Sequence, residues 1–191
     1  MSAEARPPDA FFHAYDIRGR YPEELSTAVG QRLGRAIAHV LSGPFLLARD
    51  TRTESAGFQR ALRSGLEEAG SGVRLLGVLP TPVVAFAAEW YGQYALAVTP
   101  SHNALGYTGL KGFDPRGRIF TREWTQIRRA YRADVGTGSG SGRPTRREWE
   151  GRTRLEAEYV RWVTRGLRAP IPVVVDPRGG ASARLALATF R

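Results

Sequence analysis

The chain has 191 residues, 42% hydrophobic and 24% charged, with no cysteine. That balance excludes wholesale disorder and fibrous repeats, and the missing thiols exclude disulfides, thiolate metal sites and cysteine nucleophiles. The net charge of +10 invites a polyanion partner, but Lys111 is the single lysine and every other basic residue except histidine is arginine. Both residue types bind phosphate, so selection for phosphate contacts alone would not exclude lysine. A compositional bias toward arginine is the plainer cause, and nucleic acid is not the expected partner. No run of about 18 apolar residues offers a membrane helix, and residues 1–8 have no hydrophobic stretch of the secretory kind. A cytoplasmic protein without a membrane partner is expected.

Strands and helices alternate along the chain. Residues 22–41 carry Leu25, Val29, Leu33, Ile37 and Leu41 at four-residue spacing, which predicts an amphipathic helix, with Ser26 placed to cap it. Residues 45–48 form a short apolar run, a buried strand ending at Arg49-Asp50. Residues 53–69 read as a helix with Phe58, Leu62 and Leu66 on one face and Gly70 as the stop. A strand follows over 73–78, then a helix opened by Thr81-Pro82 and closed at Gly92. A third strand covers 94–98 and runs into Thr99-Pro100-Ser101-His102-Asn103. A fourth strand is placed at 110–113 and a helix at 120–131.

Residues 136–142 alternate glycine with serine or threonine, the composition of a flexible linker. They follow a helix and contain no lysine, so neither a dinucleotide fingerprint nor a P-loop is met. Past them, residues 148–167 predict a helix with an apolar stripe of Leu155, Tyr159, Trp162 and Val163. Glu148–Arg152, Glu150–Arg154 and Glu158–Arg161 are spaced for surface ion pairs. Residues 171–175 read as a β-branched strand turned by Asp176-Pro-Arg-Gly-Gly180 into a last helical stretch. The organisation is therefore a domain over 1–135, a linker over 136–147, and the start of a second α/β unit over 148–191.

Chemistry is expected after the third strand, because open α/β sheets bind ligands at the carboxyl ends of their strands. Ser101 beside His102 suggests a hydrolase, but the nucleophile-elbow pattern is absent. Ser, His and Asn are also ordinary turn formers. The longer segment Thr99-Pro-Ser-His-Asn-Ala-Leu-Gly-Tyr-Thr-Gly-Leu-Lys111 resembles the phosphoserine loop of the α-D-phosphohexomutases, which reads Thr-x-Ser-His-Asn-Pro-x-x-x-Asn-Gly-x-Lys. Three further segments resemble that family in the same order: Ala14-Tyr-Asp-Ile-Arg-Gly19, Ala48-Arg-Asp-Thr-Arg52 and Thr81-Pro-Val-Val-Ala-Phe86. Tyr107 is similar to the phosphomannomutase/phosphoglucomutase branch.

The resemblance implies a three-layer α/β/α domain with a mixed sheet, followed by a partial second α/β domain. It implies an intramolecular phosphotransferase acting on hexose phosphates through a hexose bisphosphate, with Ser101 carrying the phosphate, His102 and Lys111 as catalytic partners, and Arg18 binding substrate phosphate. Mg²⁺ would meet the phosphate on Ser101. Phosphoryl transfer needs positioning and charge neutralisation more than covalent help, which suits a lysine, an arginine fork and a metal. Asp16 and Arg18 can equally tie a loop down, and Asp50 with Arg52 reads as a structural ion pair. His13 and His39 receive no role, and Trp90, Trp124, Trp149 and Trp162 read as core or domain-contact residues. Two positions depart from the family pattern: Ala104 stands for its proline and Thr108 for its asparagine. The family's metal loop, Asp-x-Asp-x-Asp-Arg, has no counterpart in the chain, so little or no mutase turnover is expected of the chain alone. The alternative reading is a non-catalytic binding or assembly module derived from this domain, docking on missing C-terminal domains or another partner.

Overall fold

Side-chain alternation in β2 (Phe45–Arg49) sets up the architecture. Phe45 and Leu47 enter one core, and Leu46 and Ala48 enter the other. A strand buried on both faces must be apolar throughout, and β2, like its neighbour Tyr94–Val98, has four consecutive buried residues. The computed structural model describes residues 9–135, 151–166 and 174–190. Around β2 lie β1 (Ile17–Arg20), β3 (Val73–Val78), β4 (Tyr94–Val98) and β5 (Tyr107–Phe113), in the order β1-β5-β4-β2-β3. The β4, β2 and β3 strands are parallel, while β5 is antiparallel to β4, and β1 to β5. The sheet is mixed, as expected.

Helices α1 (Thr27–Val40), α2 (Thr53–Glu68) and α4 (Arg122–Arg132) cover one face through Leu33, Ile37, Phe58, Leu62, Trp124 and Ile127. Helix α3 (Thr81–Tyr91) covers the other through Val83, Val84 and Ala87. Helices α5 (Arg152–Val163) and α6 (Ala183–Thr189) add Leu155 and Leu185 to that second core. The three-layer α/β/α arrangement follows.

Local chemistry explains the boundaries. Ser26 Oγ accepts the Val29 N–H at 3.2 Å and starts α1, satisfying one of the helix's orphan donors. Pro82 sits in the first turn of α3, and Gly92 ends that helix with φ +59°, a left-handed conformation that glycine takes without steric cost. Helices α1 and α2 meet backbone to backbone: a Cβ on Gly34 would strike the Leu62 carbonyl, and one on Gly65 would strike that of Gln31.

The sequence reading differs from the structure in several places. It contains no β1, whose short Ile-Arg-Gly-Arg run lacks strand-forming residues apart from Ile17; pairing with β5 makes it a strand. The fourth strand begins at Tyr107 rather than 110, because β1 gives Tyr107, Thr108 and Gly109 partners. The strand expected over 171–175 is not formed in its described part, where Val174 and Val175 are irregular and exposed. The glycine-rich segment, Trp149 and the pairs made by Glu148 and Glu150 lie outside the described residues. Glu158 does accept from Arg161, at 2.6 Å. Among the described residues no helix is long and apolar enough to cross a membrane.

Candidate active site

The parallel strands β2, β3 and β4 end on one side of the sheet, and the loop Thr99–Asn103 leaves β4 there. Strand register decides which side chains share a face. Lys111 pairs with Ala97, and Arg18 pairs with Gly109. Arg18 and Lys111 therefore project from the same face as Ala97, the face covered by α3, while Leu110 and Ile17 enter the opposite core.

Asp16 joins these two cations. Arg18 donates Nε and Nη2 to the Asp16 carboxylate at 3.0 and 2.7 Å, and Lys111 Nζ donates to Oδ2 at 2.6 Å. The two-pronged arginine contact is the strong form of a charge-assisted bond. Asp16 is only 3% exposed. Burial alone would raise its carboxyl, but the hydrogen bonds from Arg18 and Lys111 outweigh that and hold it below the ordinary 3.8. Arg18 and Lys111 are thus brought together by a shared counter-ion that spacing in the sequence does not reveal.

Ser101 sits in the exposed loop with φ +62°, a left-handed conformation that costs an L-residue about 1–2 kcal/mol. Its N–H donates to Thr99 Oγ1 at 3.1 Å. The Thr99 hydroxyl spends its one hydrogen on Asp50 Oδ2 at 2.8 Å. Asp50 also accepts the Arg52 backbone N–H at 3.0 Å and lies 3.6 Å from the Arg52 guanidinium. Arg52 reaches across to donate Nη1 to the Ala104 carbonyl at 2.6 Å and Nη2 to that of Asn103 at 2.5 Å. The expected Asp50–Arg52 pair is present, and it also holds the serine loop, a function the sequence reading did not assign. Ser101 Oγ and His102 Nδ1 are 3.4 Å apart, a long contact between neighbours.

Two clefts flank the loop. One, of about 410 Å³, is lined by Asp50, Arg52, Thr81, Ser101, His102 and the Gly180–Ser182 turn. The other, of about 670 Å³, is lined by His13, Tyr15, Asp16, Arg18, Asn103 and Tyr107. Ser101 with His102 and Arg18 with Asp16 therefore line neighbouring clefts, separated by the loop. Lys111 lines neither, and no hydrogen bond links it to Ser101 among the described residues. Ala97 pairs with Lys111 and lines the serine cleft, and Arg52 of that cleft donates to the carbonyl of Asn103, which lines the other.

Thr108, in the family's asparagine position, is fully buried on the α2 side with its hydroxyl unpartnered. It faces away from both Arg18 and Lys111. His13 and His39 are exposed. Trp124 is buried between Phe12 and Phe120, whereas Trp90 and Trp162 pack on Phe86 and stay about half exposed. Trp124 thus reads as core, and Trp90 and Trp162 read as contact residues between α3 and α5.

A family model described as phosphoglucomutase/phosphomannomutase, alpha/beta/alpha domain I, matches residues 9–134, well over half of the chain. The chain belongs to the phosphoglucomutase/phosphomannomutase family. A "Phosphohexose mutases" protein of Xanthomonas campestris pv. campestris (strain B100) is 32% identical over 177 residues, covering 90% of this chain and 39% of that protein. A "Probable phosphoglucosamine mutase" of Methanothermobacter thermautotrophicus is 30% identical over 190 residues, covering 94% and 41%. The crystal structure of a phosphoglucomutase/phosphomannomutase family protein from Burkholderia thailandensis superposes with a TM-score of 0.73 at 31% identity, covering 94% of this chain and 41% of that one. The chain thus spans about two fifths of the length of the relatives it matches.

The metal the family implies can be tested against the residues in place. Among the described residues no three His, Cys, Asp or Glu side chains converge as a metal site. Asp50 is already engaged by Thr99 and Arg52, and Asp16 by Arg18 and Lys111. The described residues do not by themselves fit a Mg²⁺ site.

Proposed function

We propose that this domain supplies the phosphate-carrying serine of a phosphohexomutase of the phosphomannomutase/phosphoglucomutase type. Ser101 would accept a phosphoryl group from a hexose bisphosphate and return it to a hexose monophosphate, exchanging one P–O ester for another at each step. The observation that carries this reading is the outward, exposed Ser101 in a loop at the carboxyl end of β4, in a cleft also lined by His102, Asp50 and Arg52. His102 would share the proton of the serine hydroxyl. Lys111, which lines neither cleft and is held by Asp16, would have to leave that carboxylate to offset charge on the transferring oxygens or move a proton as acid or base. Arg18 keeps Nη1 unspent by its fork to Asp16 and would hold substrate phosphate in the adjoining cleft. Mg²⁺ would meet the serine phosphate, with its other ligands supplied from outside the described residues.

The test is transfer itself. Incubation with a hexose bisphosphate and Mg²⁺, followed by intact-mass and peptide analysis, is expected to add one phosphoryl group at Ser101 in wild type and none in Ser101→Ala. Equal labelling of both proteins would contradict the reading. Steady turnover of glucose 1-phosphate by the purified 191-residue chain is not expected, and finding it would refute the inactivity assigned to the chain alone. A second reading, assembly with another polypeptide, is favoured by the exposed apolar side chains Trp162, Leu187 and Phe190 on and beside α5 and α6. Gel filtration with candidate C-terminal polypeptides tests it by a shift in elution.

A further inference from the structure

We propose that Thr99 and Arg52, both anchored on Asp50, are positioning residues that hold Ser101 in its left-handed conformation, with the hydroxyl turned out to receive phosphate. The inference rests on the phosphoserine reading above and concerns how this chain presents that serine.

The loop is fastened on both sides of Ser101. On its N-terminal side, the Thr99 hydroxyl gives its hydrogen to Asp50 and can only accept from the Ser101 N–H. On its C-terminal side, the Arg52 fork takes the carbonyls of Asn103 and Ala104. Asp50 is the common anchor: it faces Thr99 through Oδ2 and Arg52 through both its backbone N–H and its guanidinium. Thr99 is buried, and Arg52 and Asp50 are each less than one-fifth exposed, so the fastening is shielded while Ser101 stays open to solvent. Serine has no intrinsic preference for positive φ. Pro100 fixes its own φ in the loop but leaves that of Ser101 free. The three polar side chains supply the constraint instead.

The test uses the whole 191-residue chain, with Thr99→Val, Thr99→Ser, Arg52→Ala and Arg52→Lys. Backbone carbon and nitrogen NMR shifts of Ser101 report the sign of its φ, and intact mass reports its phosphorylation by a hexose bisphosphate. Thr99→Val and Arg52→Ala are expected to lose the left-handed signature and slow phosphorylation on the order of tenfold to a hundredfold, the range for small misplacements of a reacting group. Thr99→Ser, which keeps the hydroxyl, restores both. Arg52→Lys, with one ammonium for two carbonyls, restores them in part. Wild-type shifts and wild-type phosphorylation in both Thr99→Val and Arg52→Ala would overturn the positioning role alone. An unphosphorylated Ser101 in wild type would overturn the phosphoserine reading, and the positioning role with it. If Thr99→Val does not fold, the Arg52→Ala and Arg52→Lys pair decides by the same two readouts.

Discussion

Asp16 sits almost out of water between Arg18 and Lys111. Removing one partner of a buried charge cluster leaves the others uncompensated, at about 3–5 kcal/mol when fully buried. Arg18 and Lys111 keep 30% and 16% of their side-chain surface, so water recovers part of that. Asp16→Asn is expected to lower stability by about 2–3 kcal/mol in urea unfolding at neutral pH. The sign with pH follows from its lowered carboxyl. The stabilisation is complete above the unfolded value of 3.8 and is lost as pH falls through the lower native one, so the gap between wild type and Asp16→Asn should close in acid. A gap that widens in acid would contradict the role given to Asp16. Thr108 offers the opposite test. Its buried hydroxyl has no partner, and an unmade hydrogen bond costs about 1–3 kcal/mol. Thr108→Val keeps the shape and should raise the thermal midpoint by a few degrees, measured by calorimetry.

At the scale of elements, the crossing of α1 and α2 is set by glycine. Alanine normally stabilises a helix interior by about 1 kcal/mol over glycine, so propensity alone predicts that Gly65→Ala would help. The added Cβ, however, would meet the Gln31 carbonyl, a backbone atom with nowhere to go. Overpacking of about 1–3 kcal/mol or more should win, giving net destabilisation in thermal melts, whereas neutral or improved stability would show that the helices can slide apart. Helices α1, α2 and α3 were readable because period, cap and stop signals agreed: Ser26, Gly70, Thr81-Pro82 and Gly92. Strand β1 was not, because Arg18, Gly19 and Arg20 carry no strand signal and become a strand only by pairing with β5.

At the scale of the whole molecule, the candidate site was partly readable. Ser101 and His102 were legible because a linear motif carries them; the Asp50–Arg52 ion pair was legible from its close spacing, but the hold of Arg52 on the serine loop was not. The joining of Lys111 to Asp16 was not, since the two are 95 positions apart and meet only when β1 lies against β5. Nor was the division into two clefts on either side of the serine loop, which depends on where the backbone turns at a left-handed residue. The most direct test is to map phosphate in the protein recovered from the cells that make it. Phosphate on Ser101, removed by Ser101→Ala and increased by a hexose bisphosphate, is the predicted result. A chain bearing phosphate only elsewhere, or a Ser101 that stays unmodified under both conditions, would contradict it.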